Sequence, residues 1–277
     1  MIRRFLPSLA LLLAVLALAP VPLRADEEVD EEIHELTALI AAQPENAELY
    51  LERGELYRQV ENWQAALSDY DRAQKLDPAL HVIDFARGRL YLETGKASQA
   101  RTALDGFLEK FPSHGEARMM RARALVQLRQ PTAAIADYDA AIANFHPPTP
   151  DLYHERAKAI AALGPKRELD AIASLDEGIS RLGPLVSLQM HAIDLELSSR
   201  RFDAAIARLE TISNKSKRKE YYLLQKGDIL KKAGRHADAK AAWKEAVTRI
   251  QALPPKARGH WKTRELSAKL EALLLAP

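Results

Sequence analysis

A chain of 277 residues, 47% hydrophobic and 28% charged, has the composition of a folded protein and argues against disorder over most of its length. With no cysteine it can form no disulfide, thiolate metal site, cysteine nucleophile or lipid-modified cysteine. The formal charge of +2 carries no argument for nucleic acid: the first 25 residues hold three of the 40 Lys and Arg and none of the 38 Asp and Glu, so the remainder balances to a net −1.

In chain order, residues 1–25 open with Arg3 and Arg4, run apolar from Leu9 to Ala19, and close on "PVPLRA" before the acidic "DEEVDEE". This is the layout of a secretory signal peptide, with cleavage expected after Ala25 and the mature chain in the periplasm. An uncleaved inner-membrane anchor is the alternative. Against it, the apolar run is shorter than the roughly 20 residues of a spanning helix and is flanked by Pro7, Pro20 and Pro22. No other segment is expected to span a bilayer.

The remainder repeats itself. "AALSDYDRA" from Ala65 returns as "AAIADYDAA" from Ala133, and "SQARTALDGF" from Ser98 keeps the same phases midway. Small residues advance by 34 through Gly54, Gly88 and Ala122, with Ala157 after 35. Three positions on come Tyr57, Tyr91, Leu125 and Ile160; twelve on come Ala66, Ala100 and Ala134. Tyr70, Leu104 and Tyr138 follow, then Ala73, Phe107 and Ala141, with Pro78, Pro112 and Pro147 closing the copies. Small residues let two helices approach closely, large ones fill the space beside them, and stacked neighbours bury the flank that each pair leaves exposed.

This pattern resembles the tetratricopeptide repeat, a helix-turn-helix unit of 34 residues. The resemblance implies an all-α, right-handed superhelical solenoid of about six repeats, at 47–80, 81–114, 115–148, 150–184, 185–217 and 220–252. A half-repeat or capping helix is expected at 26–46, where Leu36, Leu39 and Pro44 fall in phase, and a capping helix at 253–277, where Leu266, Leu270, Leu273 and Leu274 recur at helical spacing. Leu275 lies off that stripe and raises the alternative of a weak homodimer. The fourth repeat carries a two-residue insertion in "LGPKREL". The fifth is the poorest match, because Ile193 and Glu196 stand where a small and a large residue are wanted, and a local bend or looser packing is expected there.

Arg53, Arg87, Arg121 and Arg156 precede the small marker, and Asp71, Asp105, Asp139 and Asp176 recur in the second helices. These are expected to pair within each repeat. In the resembled family the first helices line a concave groove. The matching face here reads Leu51, Glu55, Arg58; Phe85, Arg89, Leu92; Met119, Arg123, Val126; and His154, Lys158. A basic row of Arg89, Arg123 and Lys158 among apolar neighbours suits a protein or peptide partner carrying carboxylates. Reversing Arg89 and Arg123 to Glu is expected to abolish binding without altering the melt. Glu55 and Arg89 replace the asparagines that relatives use to clamp a C-terminal carboxylate, so that mode is not expected.

Catalytic, cofactor and metal sites are not expected. "HE" at His34 and His154 lacks a second histidine four residues on, where Ala38 and Lys158 stand. Ser216 and Lys219 match Ser-x-x-Lys without its companion motifs, and His191 with Asp194 is the closest ligand-like pair. The basic connector Lys215, Lys217, Arg218, Lys219 reads as a solvated loop or an anion contact. The resemblance implies a non-catalytic interaction scaffold of the bacterial envelope. The alternatives are a glycan or wall-polymer binder, for which Phe85 is the main candidate aromatic, and a regulatory subunit of an envelope enzyme.

Overall fold

A computed structural model describes residues 23–275, so the expected signal peptide lies outside the described residues except for its last three. The described residues form fifteen α-helices and one 3-10 turn, with no strand among them. They divide between Ile83 and Asp84, in the first turn of α4 (Val82–Glu93), into two compact units.

The N-terminal unit holds α1 (Leu23–Ala42), α2 (Ala47–Gln59) and α3 (Trp63–Leu76). Asn46 and Asn62 cap α2 and α3, each accepting a backbone N–H from the first turn. Gly54 faces Tyr70 so closely that an added Cβ would lie 2.6 Å from the ring, and Ala66, Tyr70 and Ala73 are fully buried beside it. Helix α1 packs on α2, where the Arg53 guanidinium donates to Thr37 Oγ1 at 2.9 Å.

The C-terminal unit continues with α5 (Ala97–Lys110), α6 (Gly115–Gln127), α7 (Pro131–Asn144), α8 (Pro150–Ala161) and α9 (Glu168–Leu182). Then follow α10 (Val186–Ser198), α11 (Phe202–Asn214), α12 (Glu220–Lys232), α13 (His236–Gln251), α14 (Pro255–Arg258) and α15 (Trp261–Leu275). From α4 to α13 the helices pair as successive hairpins. Gly88 meets Leu104, Gly178 meets Tyr153, and Gly227 meets Trp243, each without room for a Cβ. The fourth repeat absorbs its insertion in the 3-10 turn Pro165–Arg167. Helix α15 buries Leu266 and Leu270 against the last hairpins, with Leu273 and Leu274 half-buried, and leaves Leu275 86% exposed.

The turn inside the hairpins repeats as well. Glu61, Gly95, Arg129, Arg200 and Gly234 occupy one phase and share a positive φ of 56 to 78°. Glycine adopts this left-handed conformation freely, whereas the three side-chain-bearing residues are strained in it.

The charged ladder differs from the sequence expectation. Arg53 forms a bidentate pair with Asp69, and Arg121 with Asp137, at 2.7–2.8 Å. These acids stand two residues before Asp71 and Asp139, and two residues turn a helix by about 200°. Asp69 and Asp137 therefore face their own first helix. The recurring acids face the next repeat: Asp105 accepts from Arg121, Asp139 from Arg156, and Glu210 from Lys226. Thr37 occupies the same phase in α1 and accepts from Arg53. The hydrogen bond to Asp69 raises the pKa of Arg53, and that to Asp137 raises Arg121, in each case against the effect of burial.

The fifth repeat keeps this tie by moving the arginine. Ala192 stands where the first four repeats carry arginine and the sixth carries Lys226, and Arg208 on α11 donates to Asp176 of the fourth repeat at 2.7 Å. Arg208 also pairs with Glu196, which is only 3% exposed, and with Gln189. Burial opposes the charge on Arg208, yet its hydrogen bonds to Glu196 and Asp176 outweigh burial and raise its pKa. Glu196 and Ile193 are thus packed within the fifth repeat.

Candidate functional site: the first-helix face

In the C-terminal unit, Arg89 and Leu92 of α4 meet Met119 and Arg123 of α6 around one surface hollow, completed by Glu93, Glu116, Met120 and Gln127. Four residues nominated from the sequence thus converge. The floor is thioether and aliphatic, and the rim carries both signs of charge. Val126 is 44% exposed on the same helix, and Lys158 projects into solvent from α8. In the N-terminal unit, Leu51, Glu55 and Arg58 share one face of α2. There Glu55 accepts from Tyr70 Oη at 2.6 Å and from Arg58 Nε at 3.3 Å.

Phe85 is not on this surface. It is 8% exposed and packs against Phe107 and His114 at centroid separations of 5.1 Å, while the Arg89 guanidinium lies 5.0 Å over its ring. Its size accounts for this, because a phenyl at this phase reaches the second helix of its own hairpin, where Leu51 and Met119 stay partly exposed. A glycan reading that relied on Phe85 for sugar stacking loses its platform.

Arg123 is also more engaged than a docking residue. It forms a bidentate pair with Glu155 of α8 at 2.8 and 2.9 Å, and Tyr138 Oη donates to the same carboxylate at 3.0 Å. The hydrogen bond to Glu155 raises the pKa of Arg123. Burial, then the neighbouring Glu155 charge, pushes the Tyr138 phenol far above its ordinary range. The reversal of Arg123 to Glu would therefore set carboxylate against carboxylate within the fold, and the melt is expected to fall. Glu155 was not nominated from the sequence; an acid 32 residues after a groove arginine was the available signal.

His154 meets a residue that the sequence had paired elsewhere. Its Nδ1 lies 3.0 Å from Nδ1 of His191 on α10. Burial lowers the pKa of both imidazoles, and for His191 the neighbouring His154 and Lys158 lower it further. In the connector, Arg218 is not a free anion contact: it bonds the buried carboxylate of Glu220 and donates to Thr263 of α15 at 3.0 Å. Among the described residues no group of three or more His, Asp or Glu is placed to hold a metal ion, and no helix is long and apolar enough to cross a membrane.

A tetratricopeptide repeat profile matches residues 27–81 and 85–150, and a tetratricopeptide repeat-like domain matches 165–274. The chain belongs to the tetratricopeptide repeat family. The first match takes in most of α1. Comparison with curated proteins gives no significant match. Among solved structures the chain is similar to YrrB, described as a tetratricopeptide protein with an unusual peptide-binding site. The two are 19% identical with a TM-score of 0.54, over 63% of this chain and 89% of YrrB. A tetratricopeptide protein from Parabacteroides merdae is 20% identical with a TM-score of 0.53, over 91% of this chain and all of that one. PilF of Pseudomonas aeruginosa is 15% identical with a TM-score of 0.52, over 82% and 99% of the two chains. At such identities the likeness is one of fold.

Proposed function

We propose that this tetratricopeptide protein is a non-catalytic scaffold of the bacterial envelope that holds a partner protein or peptide against the first-helix face of its C-terminal unit. The observation that carries the reading is the hollow in which Arg89, Leu92, Met119 and Arg123 converge from two helices. An apolar floor under a charged rim suits an amphipathic segment: apolar side chains enter, and carboxylates of the segment meet Arg89. A peptide-binding site on the same fold in YrrB supports the same use of the repeats. The leader-like first 25 residues favour export to the periplasm.

The test is affinity purification of the tagged protein from the cell envelope, with mass spectrometry of co-purifying chains. A stoichiometric protein partner is expected. Gln127→Trp, which fills the hollow from its exposed rim, should remove the partner while leaving the melt unchanged; Lys217→Glu, in the connector, should retain it. Co-purifying polysaccharide in place of protein, or full binding by Gln127→Trp, overturns the reading.

A further inference from the structure

The meeting of His154 and His191 is unlike any other contact on this face. The two residues come from α8 and α10, 37 positions apart, and their Nδ1 atoms lie 3.0 Å from each other. The ring centroids are 5.2 Å apart and the planes differ by 23°. That separation is close to the N···N distance plus one ring radius on either side, so the imidazoles meet edge to edge and nearly coplanar. The contact is a head-on N–H···N hydrogen bond. One ring must carry its neutral proton on Nδ1, and the other must present an Nδ1 lone pair.

Such a contact tolerates a limited number of protons. The neutral pair has one donor and one acceptor. A single added proton, placed on Nε2 of the donor ring, leaves the bond intact as imidazolium to imidazole. A second removes the acceptor and sets two cations and two N–H groups against each other, so the pair titrates as a unit. The geometry points to His154 and His191 as a proton-sensitive latch between α8 and α10, closed by one shared N–H···N bond and opened when each imidazole holds a proton on both nitrogens.

The charges around the latch are few. On α8, Asp151 and Glu155 favour protonation of His154, and Lys158 opposes it. On α10, Asp194 favours protonation of His191, while Lys158 and His154 oppose it. Neighbouring elements turn their charges to other partners. Asp139 of α7 and Glu177 of α9 bind Arg156; Arg208 of α11 binds Glu196 and Asp176; and Arg167 of the 3-10 turn binds Asp170. Burial and the mutual repulsion of the pair thus favour the neutral, closed form. Because both groups have pKa values below their unfolded value of about 6.5, the unfolded chain takes up protons first as the pH falls. The stabilisation from the neutral pair is complete above about pH 6.5 and declines below it, and the latch itself opens with the second proton, lower still.

Opening the latch would shift α8 with Lys158 on the first-helix face, a consequence for docking that rests on that face being the binding surface; the latch is tested on the free protein, so either reading can fail alone. The chain has no native cysteine, which permits spin labels at Ala162→Cys and Ser198→Cys, at the ends of α8 and α10. Between pH 7.5 and about 4.5, where the second proton is taken up, the interlabel distance should widen in the wild type and stay fixed in His154→Gln/His191→Gln. The wild-type melting temperature should fall by about 3 °C more than that of the double variant over the same interval. Should the double variant fail to fold, histidine titration by NMR on the wild type decides. Two interdependent transitions below the usual imidazole range support the latch, and independent transitions within that range overturn it. Equal pH dependence of distance and melt in wild type and double variant also overturns it.

Discussion

The first and third repeats carry nearly the same nine residues, and each places a buried tyrosine at the same phase, yet the two tyrosines bond in different directions. Tyr70 donates to Glu55 of its own hairpin at 2.6 Å, whereas Tyr138 donates to Glu155 of the following repeat at 3.0 Å. One position separates them: the first repeat has Glu55 where the third has Arg123. With an acid within reach, the phenol closes on its own first helix, over Gly54 and with no room for a Cβ. With an arginine there, the following repeat supplies the acid, and the third repeat has Ala122 in place of the glycine. The charge at that one position changes together with the acid of the following repeat, because the second repeat has Ala86 where the fourth has Glu155, and the bond passes from within a hairpin to between hairpins.

The largest expected effect separates the two copies through their arginines. Arg53→Ala leaves Asp69, whose side chain is 8% exposed, without its bidentate partner, and should cost about 3 to 5 kcal/mol by urea unfolding. Arg121→Ala should cost clearly less, because Asp137 keeps a second donor in Arg118 at 2.8 Å. Equal losses would break the comparison. Next comes Gly54→Ala, whose Cβ would collide with the Tyr70 ring and should cost about 1 to 3 kcal/mol. The opposite change in the third repeat, Ala122→Gly, should cost about 1 to 2 kcal/mol, from the helix-propensity difference and the loss of one buried methyl group.

Smaller effects sharpen the picture. Tyr138→Phe should cost about 1 kcal/mol at neutral pH. It should also flatten the alkaline limb of the stability profile: the folded phenol resists ionisation, so wild-type stability is complete below the unfolded value of about pH 10 and declines above it. Thermal melts between pH 8 and 11 measure this. Glu61→Gly and Arg129→Gly, each relieving a left-handed backbone of φ 58°, should raise stability by up to about 1 kcal/mol.

Much of the fold was legible because packing demands recur with the repeat. The small marker, the large residue beside it and the leucines of α15 all reflect volumes that must fit at each step, and volume is written in residue type. The direction of charged contacts was harder to read. Asp71, Asp105 and Asp139 recur as regularly as the arginines, but recurrence does not say whether an acid faces its own hairpin or the next. Asp69 and Asp137, half a helical turn away, were the partners within the hairpin. Phe85 misled for a related reason, since its phase matches Leu51 and Met119 while its length carries the ring into the core.

By itself the sequence determined that helices would form in pairs, at which interval, and which small residue would face which large one inside a pair, because period and side-chain volume are local properties repeated along the chain. Only the tertiary structure decided that Arg123 would be held by Glu155, that Arg208 would replace a first-helix arginine, and that His154 would face His191. Those contacts join residues 32 to 37 positions apart across separate hairpins. Their geometry depends on the rotation of each helix about its axis, which stacking sets and residue type alone does not.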